Sequence, residues 1–497
     1  MDPQFVKYLG FSWILDGQRK YFVFLVLPFG LGSAPRICKK VFSPLVRKWR
    51  AEQCIIVLFF DDGVFGASSL SKCKQVSKKI HDDLIKAHIL PNPSKSNWEP
   101  CQNLVWLGYN WDVKNCNVSV SKKRTDKLFW KLSEFEKGLP IVTARRAASI
   151  VGSVISMMLV LGEKGLLFTR YLQNVINFRN WEEISWDSRI HIYNLDFGHK
   201  AVEEVKFLKE NFNEMNIRSF ETKIVNRKCL FGDAGEKAVG GFLWENRIPL
   251  PFHMKLPEEL IGSSSTEREL FSVLNALESF KNSIKGSKIV YITDSQSCES
   301  ICRKGSSKMN LHTYAEKIQK FCLANKIDFA IAWVNRTQNQ EADFMSKIVD
   351  SDGWSIKCEF FDRIKKLTSL VFTLDAFASN ENRKCDRFYS RFMCPNSLGV
   401  NALLFSWQTE IVWACPPPVM ATKVLWKFYN DKCKGVIVFP DWHSSCIWPV
   451  LNNDFFKNYI INSWVFPGKV CLNDSNIGLF GKNFNGNFRV LFCNFSL

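Results

Sequence analysis

Four acidic residues in the middle of the chain stand where carboxylates can converge on a metal ion. Asp233 and Asp294 each follow a run typical of a strand, and Glu267 and Asp343 lie in the first turns of predicted helices. Strand ends and helix starts can meet at one edge of a sheet, and a pair of Mg²⁺ ions needs such a group of carboxylates. Each acid alone has an ordinary explanation, because acids are common at helix N-termini and in turns. Only the set of four predicts a two-metal site.

A second pair of acids, Asp61 and Asp62, follows the apolar run 54–60 and precedes Gly63. Adjacent carboxylates repel one another, so the pair favours a bound divalent cation. An Asp-Gly pair is also typical of a β-hairpin turn that has no chemical role. Taken alone, the pair leaves both interpretations open, and the residues around it decide between them.

The surroundings of this pair resemble the palm of a retroelement reverse transcriptase over about residues 6–120. The motif FGLxSAP lies upstream, FFDD takes the place of the Tyr-x-Asp-Asp active-site hairpin, and a lysine and the string WLG follow in the family's order. The resemblance implies that Asp61 and Asp62 are catalytic, with Asp61 also a metal ligand. It implies that nucleotide or template is bound by Phe29, Gly30, Ser33, Pro35 and Lys95.

One part of the palm pattern has no match in this sequence. In the family a first catalytic aspartate lies on a strand before the matched region, and here only Asp2 and Asp16 precede the hairpin. Asp2 is at the terminus and Asp16 lies in a predicted turn, so neither suits that position. We therefore expect an N-terminally truncated copy in which RNA-directed DNA polymerisation is lost.

The four acids of the middle segment, with the strings TEREL, ITDS and NxxAD, resemble the ribonuclease H fused to reverse transcriptases. The resemblance implies catalytic and metal-binding roles for Asp233, Glu267, Asp294 and Asp343. It also implies Mg²⁺-dependent hydrolysis of RNA in RNA–DNA hybrids. Many family members carry a histidine just before the last acid. This chain has Arg336 there, which would either contact phosphate or be solvated.

The C-terminal segment resembles the Dam family of DNA N6-adenine methyltransferases over about residues 370–450. The string LDAFAS precedes a loop, CPPP, that takes the place of the family's NPPY. The resemblance implies cofactor binding by Asp375, Cys415, Pro416 and Pro417. Cys415 and Pro418 stand where the family has the acceptor for the adenine amino group and the stacking ring. We therefore expect a retained fold without methylation, and no S-adenosylmethionine as cofactor.

The elements that must position these residues form four predicted modules of a multidomain α/β and α+β fold. Residues 1–120 are a partial palm of strands and helices, and residues 121–222 a helical thumb or connection. Residues 223–350 alternate strands and helices as a mixed, ribonuclease H-like sheet requires. Residues 351–497 form the Dam-like α/β module. This order resembles the polyproteins of DIRS-type retrotransposons.

Composition limits the class of protein. The 497 residues include 66 Lys and Arg and 48 Asp and Glu, which gives a net charge of +18. A basic chain of this size suits a nucleic-acid partner, and we expect an RNA–DNA hybrid or a template–primer. The 17 cysteines are scattered without a Cys-x-x-Cys pair, and the chain starts without a signal peptide. We therefore expect a cytoplasmic or nuclear, intracellular protein with reduced thiols and no membrane association. The alternative to an enzyme is a non-catalytic nucleic-acid-binding relic.

Overall fold

A computed structural model describes residues 3–220, 227–245, 247–348, 354–474, 476, 478–481 and 483–496. The chain divides into two compact units, Met1–Gly162 with Val175–Thr222, and Glu163–Asn174 with Lys223–Leu497. Within the described part of the chain, no helix is both long enough and apolar enough to cross a membrane. All 17 cysteines are free thiols.

The first unit combines short antiparallel sheets with helices. Its strands are β1 (Gly10–Leu15), β2 (Gln18–Val23), β3 (Ile55–Phe59), β4 (Asp62–Gly66), β5 (Asn103–Trp106), β6 (Tyr109–Asp112), β7 (Asn117–Val120), β8 (Ile141–Val142), β9 (Ile190–His191) and β10 (Arg218–Ser219). The helices up to residue 215 are α1 (Pro3–Val6), α2 (Ala34–Ala51), α3 (Leu70–Lys86), α4 (Lys122–Lys137), α5 (Ala144–Ile155), α6 (Met158–Leu161), α7 (Lys164–Leu167), α8 (Arg170–Trp181) and α9 (Gly198–Met215). Of these, α7 and the start of α8 belong to the second unit.

The β3–β4 hairpin packs on α2 and α3 through a small apolar core. Trp49, Ile56 and Ile80 are buried there. The carboxylate of Asp83 on α3 accepts hydrogen bonds from Lys48 Nζ at 2.8 Å and Trp49 Nε1 at 2.9 Å on α2. A buried carboxylate is stable only when its acceptors are satisfied, so this pairing holds the two helices in register.

The sequence predicts the helices of this unit better than its strands. The sequence predicts a helix capped by Thr143, and Thr143 does cap α5, because its side chain accepts from the amide of Arg146 at 3.3 Å. The sequence predicts a hairpin of strands at Trp106–Tyr109 and Asn117–Val120, and the first of these strands is wrong. Leu107 and Gly108 have positive φ angles and form the turn between β5 and β6, and it is β6 that pairs with Asn117–Val120. These strands belong to a sheet in the order β10-β7-β6-β5.

The second unit begins with a mixed five-stranded sheet in the order β13-β12-β11-β14-β15. Strands β11, β12 and β13 are antiparallel neighbours, whereas β14 pairs in parallel with both β11 and β15. The strands are β11 (Lys228–Ala234), β12 (Ala238–Glu245), β13 (Ile248–Lys255), β14 (Lys288–Thr293) and β15 (Asp328–Trp333), and the helices are α10 (Ser265–Ser279), α11 (Lys281–Ile284), α12 (Gln296–Lys304), α13 (Met309–Ala324) and α14 (Gln340–Lys347).

Helices α10, α12 and α13 cover this sheet through one apolar core. Leu230 and Tyr291 of the sheet contribute to it, together with Val273, Cys298 and Ile318 of the helices. The expected sequence of strands and helices is present. The one helix not predicted from the sequence in this region is α12, a short helix that packs Cys298, Ile301 and Cys302 on the core.

The rest of the second unit is a five-stranded sheet in the order β16-β17-β18-β20-β19, with apolar clusters on both faces. Strands β16, β17 and β18 are parallel, and β20 is antiparallel to β18 and β19. The strands are β16 (Leu374–Asp375), β17 (Ile411–Ala414), β18 (Lys434–Pro440), β19 (Ile460–Pro467) and β20 (Asn487–Asn494), and the helices are α15 (Cys358–Thr368), α16 (Ala421–Asn430), α17 (Ile447–Leu451), α18 (Asp454–Lys457) and α19 (Gly468–Cys471).

A loop of this second sheet continues the edge of the first. The amide of Met393 donates to the carbonyl of Pro251 on β13 at 2.9 Å, and the amide of His253 donates to the carbonyl of Met393 at 3.3 Å. An unpaired edge strand exposes backbone donors and acceptors, and these bonds cover part of that edge. The two sheets therefore share backbone pairing within one unit.

Candidate active site

The parallel pairing of β11 and β14 brings two aspartates to the same end of the sheet. Phe231 of β11 pairs with Ile292 of β14. Two residues further along each strand stand Asp233 and Asp294, so the same register places them side by side. This is the juxtaposition that the sequence predicts from two strand ends.

The third carboxylate at this position comes from Glu269 of α10, not from Glu267. Ligand oxygens of Asp233, Glu269 and Asp294 all lie within 4.8 Å of one another. Glu269 is buried, whereas Glu267 accepts a hydrogen bond from Asn310 Nδ2 at 3.0 Å on the exposed side of the helix. The prediction that Glu267 joins these aspartates is therefore corrected to Glu269.

The local structure explains the correction. Ser264 caps α10 and accepts from the amide of Glu267 at 3.2 Å, so Glu267 occupies the third position of the helix, where a capping acid is common. Residues two apart on a helix point in different directions. Glu269 shares its face with Ser272 and Val273, which are both buried. That buried face was the signal in the sequence that could have identified Glu269.

The three carboxylates lie close together, and not all of their oxygens have hydrogen-bond partners. Burial, followed by the negative charges of Asp233 and Asp294, raises the pKa of Glu269 well above its usual value. Burial also raises the pKa of Asp233, although the hydroxyl of Ser346 donates to its Oδ2 at 2.6 Å and acts in the opposite direction. Oε2 of Glu269 is buried and has no hydrogen-bond partner among the described residues. Three carboxylates, one of which has a buried oxygen without a hydrogen-bond partner, fit a hard divalent cation such as Mg²⁺.

Asp343, the fourth predicted acid, lies near this group, but its carboxylate is hydrogen-bonded to two basic side chains. Its carboxylate accepts from Lys347 Nζ at 2.7 Å and from Arg336 Nη2 at 3.1 Å. The hydrogen bond from Lys347, followed by that from Arg336, lowers the pKa of Asp343. Ser346 joins Asp343 to the group, because its hydroxyl lies 2.9 Å from the Asp343 carbonyl and 2.6 Å from Asp233 Oδ2.

The Asp61-Asp62 pair has a different environment. Asp62 is the first residue of β4 and pairs with Phe59, so the turn consists of Phe60 and Asp61 rather than the predicted Asp61-Asp62-Gly63. Phe60 has a φ of +55°, and both acids are exposed. Within the described residues, neither belongs to a group of three side chains that could ligate a metal.

The predicted nucleotide-binding residues of the first unit are all exposed. Four of them lie in the loop before α2 and in its first turn, where Ser33 precedes the helix and Pro35 is in the first turn. Lys95 lies in a separate turn, where its amide donates to the carbonyl of Asn92 at 3.3 Å. The residues of this set are Phe29, Gly30, Ser33, Pro35 and Lys95. Their role stays a prediction.

The predicted cofactor residues of the C-terminal sheet lie at the ends of two adjacent parallel strands. Asp375 is buried, and its two oxygens accept from the amides of Lys384 at 2.9 Å and Phe377 at 3.3 Å. Burial raises its pKa to about 6.

The neighbouring loop, Cys415-Pro416-Pro417, is covered in part by Trp354. The indole Nε1 of Trp354 donates to the carbonyl of Pro416 at 3.3 Å. Burial raises the pKa of the Cys415 thiol well above its usual value. Both features give these residues a structural task, and a cofactor role for them stays a prediction.

Comparison with known protein families finds a match for the N-terminal part of the chain. Residues 3–111 match the family described as reverse transcriptase (RNA-dependent DNA polymerase). No curated protein sequence matches the chain.

Solved structures that are similar to this chain include a cellular enzyme and a viral one. The first is ribonuclease H1 from Halobacterium salinarum NRC-1, with 17% identity, a TM-score of 0.20, and coverage of 24% of this chain and 94% of that one. The second is the foamy viral protease-reverse transcriptase. Its complex with dsDNA has 14% identity, a TM-score of 0.32 and 65% and 62% coverage of this chain and that one; its complex with RNA/DNA hybrid has 12%, 0.31, 69% and 44%. Residues 3–111 of this chain are therefore similar to reverse transcriptases, by the family match alone.

Proposed function

We propose that this chain hydrolyses the RNA strand of RNA–DNA hybrids at the carboxylates of Asp233, Glu269 and Asp294. The observation that carries the proposal is the convergence of these three side chains, from two strands and a helix, to within 4.8 Å. A group of three acids, of which Asp233 and Glu269 are buried, is costly without a cation, because each charge raises the free energy of the others. Its retention in the fold is therefore best explained by metal-dependent chemistry.

Some residues at this site would bind metal, and others hold the metal-binding residues in position. Asp233, Glu269 and Asp294 would hold a divalent cation, and Asp343 would be a fourth ligand once it is free of its hydrogen bonds to Arg336 and Lys347. When bound, such ions activate water and stabilise the leaving oxygen of a phosphodiester. Ser346 fixes the orientation of Asp233 through its hydroxyl. The indole Nε1 of Trp333 donates to the carbonyl of Asp294 at 3.0 Å and holds that strand end in place.

A cleavage assay with strand-specific labels tests the proposal. We expect the full chain to cut labelled RNA in a hybrid in Mg²⁺ or Mn²⁺, and to leave the DNA strand intact. Asp294→Asn should lower the rate by at least about 100-fold, because lost metal stabilisation of several kcal/mol corresponds to such a factor.

Asp328→Asn is a matched control, because Asp328 begins β15 at the opposite end of the same sheet. It should keep the rate within about three-fold of that of the unmodified chain, since surface changes away from a site have small effects. If the unmodified chain binds the hybrid but cuts it no faster than Asp294→Asn does, the proposal is wrong. The alternative of a non-catalytic nucleic-acid-binding relic would then be correct.

The reverse transcriptase match suggests polymerisation as a second activity, but the hairpin supports it less well. Asp61 and Asp62 are exposed and lie outside any group of three ligating side chains in the described part of the chain. Two-metal polymerisation needs carboxylates from more than one strand. We therefore propose hydrolysis, and not polymerisation, as the activity of this chain.

For the chain as a whole we propose the module order of a DIRS-type retrotransposon polyprotein. In this proposal the C-terminal sheet is a Dam-like module that retains its fold and has lost methylation. Supporting this, both oxygens of Asp375 are occupied by backbone amides, and Cys415 replaces the side chain that would accept from adenine. Calorimetry with S-adenosylmethionine should detect no binding, and measurable binding would contradict this part of the proposal.

A further inference from the structure

Two basic side chains surround Asp343, a predicted ligand that does not join the carboxylate group. Arg336 lies in a short 3₁₀ turn between β15 and α14, and Lys347 lies one helical turn after Asp343. Both donate to the carboxylate of Asp343, with distances of 3.1 Å from Arg336 and 2.7 Å from Lys347. In this arrangement both oxygens of Asp343 are occupied by protein donors.

The exposure of the three side chains is unequal. The side chains of Arg336 and Lys347 are 74% and 57% exposed, whereas that of Asp343 is only 23% exposed. An anion arriving from solvent therefore reaches the two cations before it reaches the carboxylate. Exposed ion pairs are weak, so a phosphodiester that offers charge-assisted hydrogen bonds can replace Asp343 as their partner.

We propose that Arg336 and Lys347 are positioning residues that hold Asp343 away from metal coordination until a nucleic-acid phosphate binds them. The inference rests on the proposed function, because it assumes that the neighbouring carboxylates bind a divalent cation. Without nucleic acid the site then takes one cation at Asp233, Glu269 and Asp294. A second cation, which needs Asp343, binds more tightly once phosphate has drawn the two basic side chains away. By linkage, the second cation also tightens the binding of phosphate.

Counting bound Mn²⁺ by electron paramagnetic resonance, with Mn²⁺ alone as the probe, tests this inference. The unmodified chain should bind one Mn²⁺ in the concentration range where the double variant Arg336→Ala/Lys347→Ala binds two. We expect the second Mn²⁺ to bind about two- to ten-fold more tightly in the double variant, the range that exposed ion pairs allow. Arg336→Lys, which keeps the positive charge, should behave like the unmodified chain.

The control separates a local effect from a change of net charge. Lys281→Ala/Lys285→Ala removes two exposed cations from α11 and the residue that follows it, so the net charge changes by the same amount. This control should leave the Mn²⁺ titration unchanged. A titration of Arg336→Ala/Lys347→Ala that matches either the unmodified chain or this control would overturn the inference, while the proposed function would stand. A titration in which the unmodified chain and Glu269→Gln bind no Mn²⁺ would overturn the proposed function itself.

Discussion

Glu269→Gln should lower the rate of hybrid cleavage by at least about 100-fold, whereas Glu267→Gln should leave it within about two-fold. The two glutamates are two residues apart on α10, but only Glu269 brings its oxygens to Asp233 and Asp294. The amide of glutamine keeps the shape of the side chain and loses a charged ligand, which costs several kcal/mol of metal stabilisation. Initial rates on a labelled hybrid at saturating Mg²⁺ measure the difference. Equal losses in both variants, or a loss only in Glu267→Gln, would contradict the assignment.

The stability of the same variant shows that lost activity is not unfolding. The folded chain holds the pKa of Glu269 well above its usual value, so the native state binds more protons than the unfolded state above pH 4.5. The free energy of unfolding therefore falls as the pH rises through that range. Glu269→Gln has no carboxyl group to ionise at this position, so its free energy of unfolding does not fall in this way. With a chelator present to remove metal ions, the variant should be more stable than the unmodified chain at neutral pH. Urea denaturation with and without Mg²⁺ tests this, because only the unmodified chain should gain stability from the metal.

Lowering the pH from 6.5 to 4 should cost the second unit roughly 2.5 kcal/mol of stability through His312 alone. His312 is buried on α13 beside the ring of Tyr171, at 4.8 Å between centroids. Neither of its ring nitrogens has a hydrogen-bond partner among the described residues. Burial, followed by the charges of Arg170 and Lys320, lowers its pKa from 6.5 to about 4. The unfolded chain takes up a proton in this range and the folded chain does not, so stability is lost as the pH falls.

A comparison with His312→Leu isolates this effect from other titrating groups. The separation is needed because the raised pKa of Asp375, about 6, acts in the opposite direction over the same range. The free energy of unfolding, measured in urea from pH 7 to pH 4, should fall more steeply for the unmodified chain than for His312→Leu. His312→Phe, which keeps an aromatic ring, serves as a second variant if leucine packs poorly. Parallel pH profiles for all three proteins would show that His312 is not buried as the structure places it.

Regular elements could be predicted where the apolar pattern was strong. The apolar pattern of the sequence predicts a strand at 289–293, which is β14 (Lys288–Thr293), and a helix at 311–325, which is α13 (Met309–Ala324). Helix α12 was missed although Cys298, Ile301 and Cys302 follow helical spacing, because nine residues give too short a pattern to distinguish a helix from a loop. The hairpin turn was placed one residue too late, because Asp-Gly outweighed the possibility that Phe60 adopts a positive φ.

The candidate site was predictable in kind but not in every member. Asp233 and Asp294 follow from two strand ends, since parallel strands finish at the same edge of a sheet. Glu267 was predicted in place of Glu269, although the pattern Ser264-x-x-Glu267 is a capping signal that gives Glu267 a structural role, and only the helix face that Glu269 shares with Val273 indicates the correct residue. The ion pairs of Asp343 could not be predicted from the sequence either, because they depend on how the turn at Arg336 folds back onto α14.

The central claim is that Asp233, Glu269 and Asp294 together bind a divalent cation, and anomalous scattering from crystals soaked in Mn²⁺ tests it most directly. The account predicts a strong anomalous peak in contact with carboxylate oxygens of all three residues, and its loss in crystals of Glu269→Gln. At saturating Mn²⁺, a peak bound instead at Glu267, or no peak at this edge of the sheet, would contradict the account.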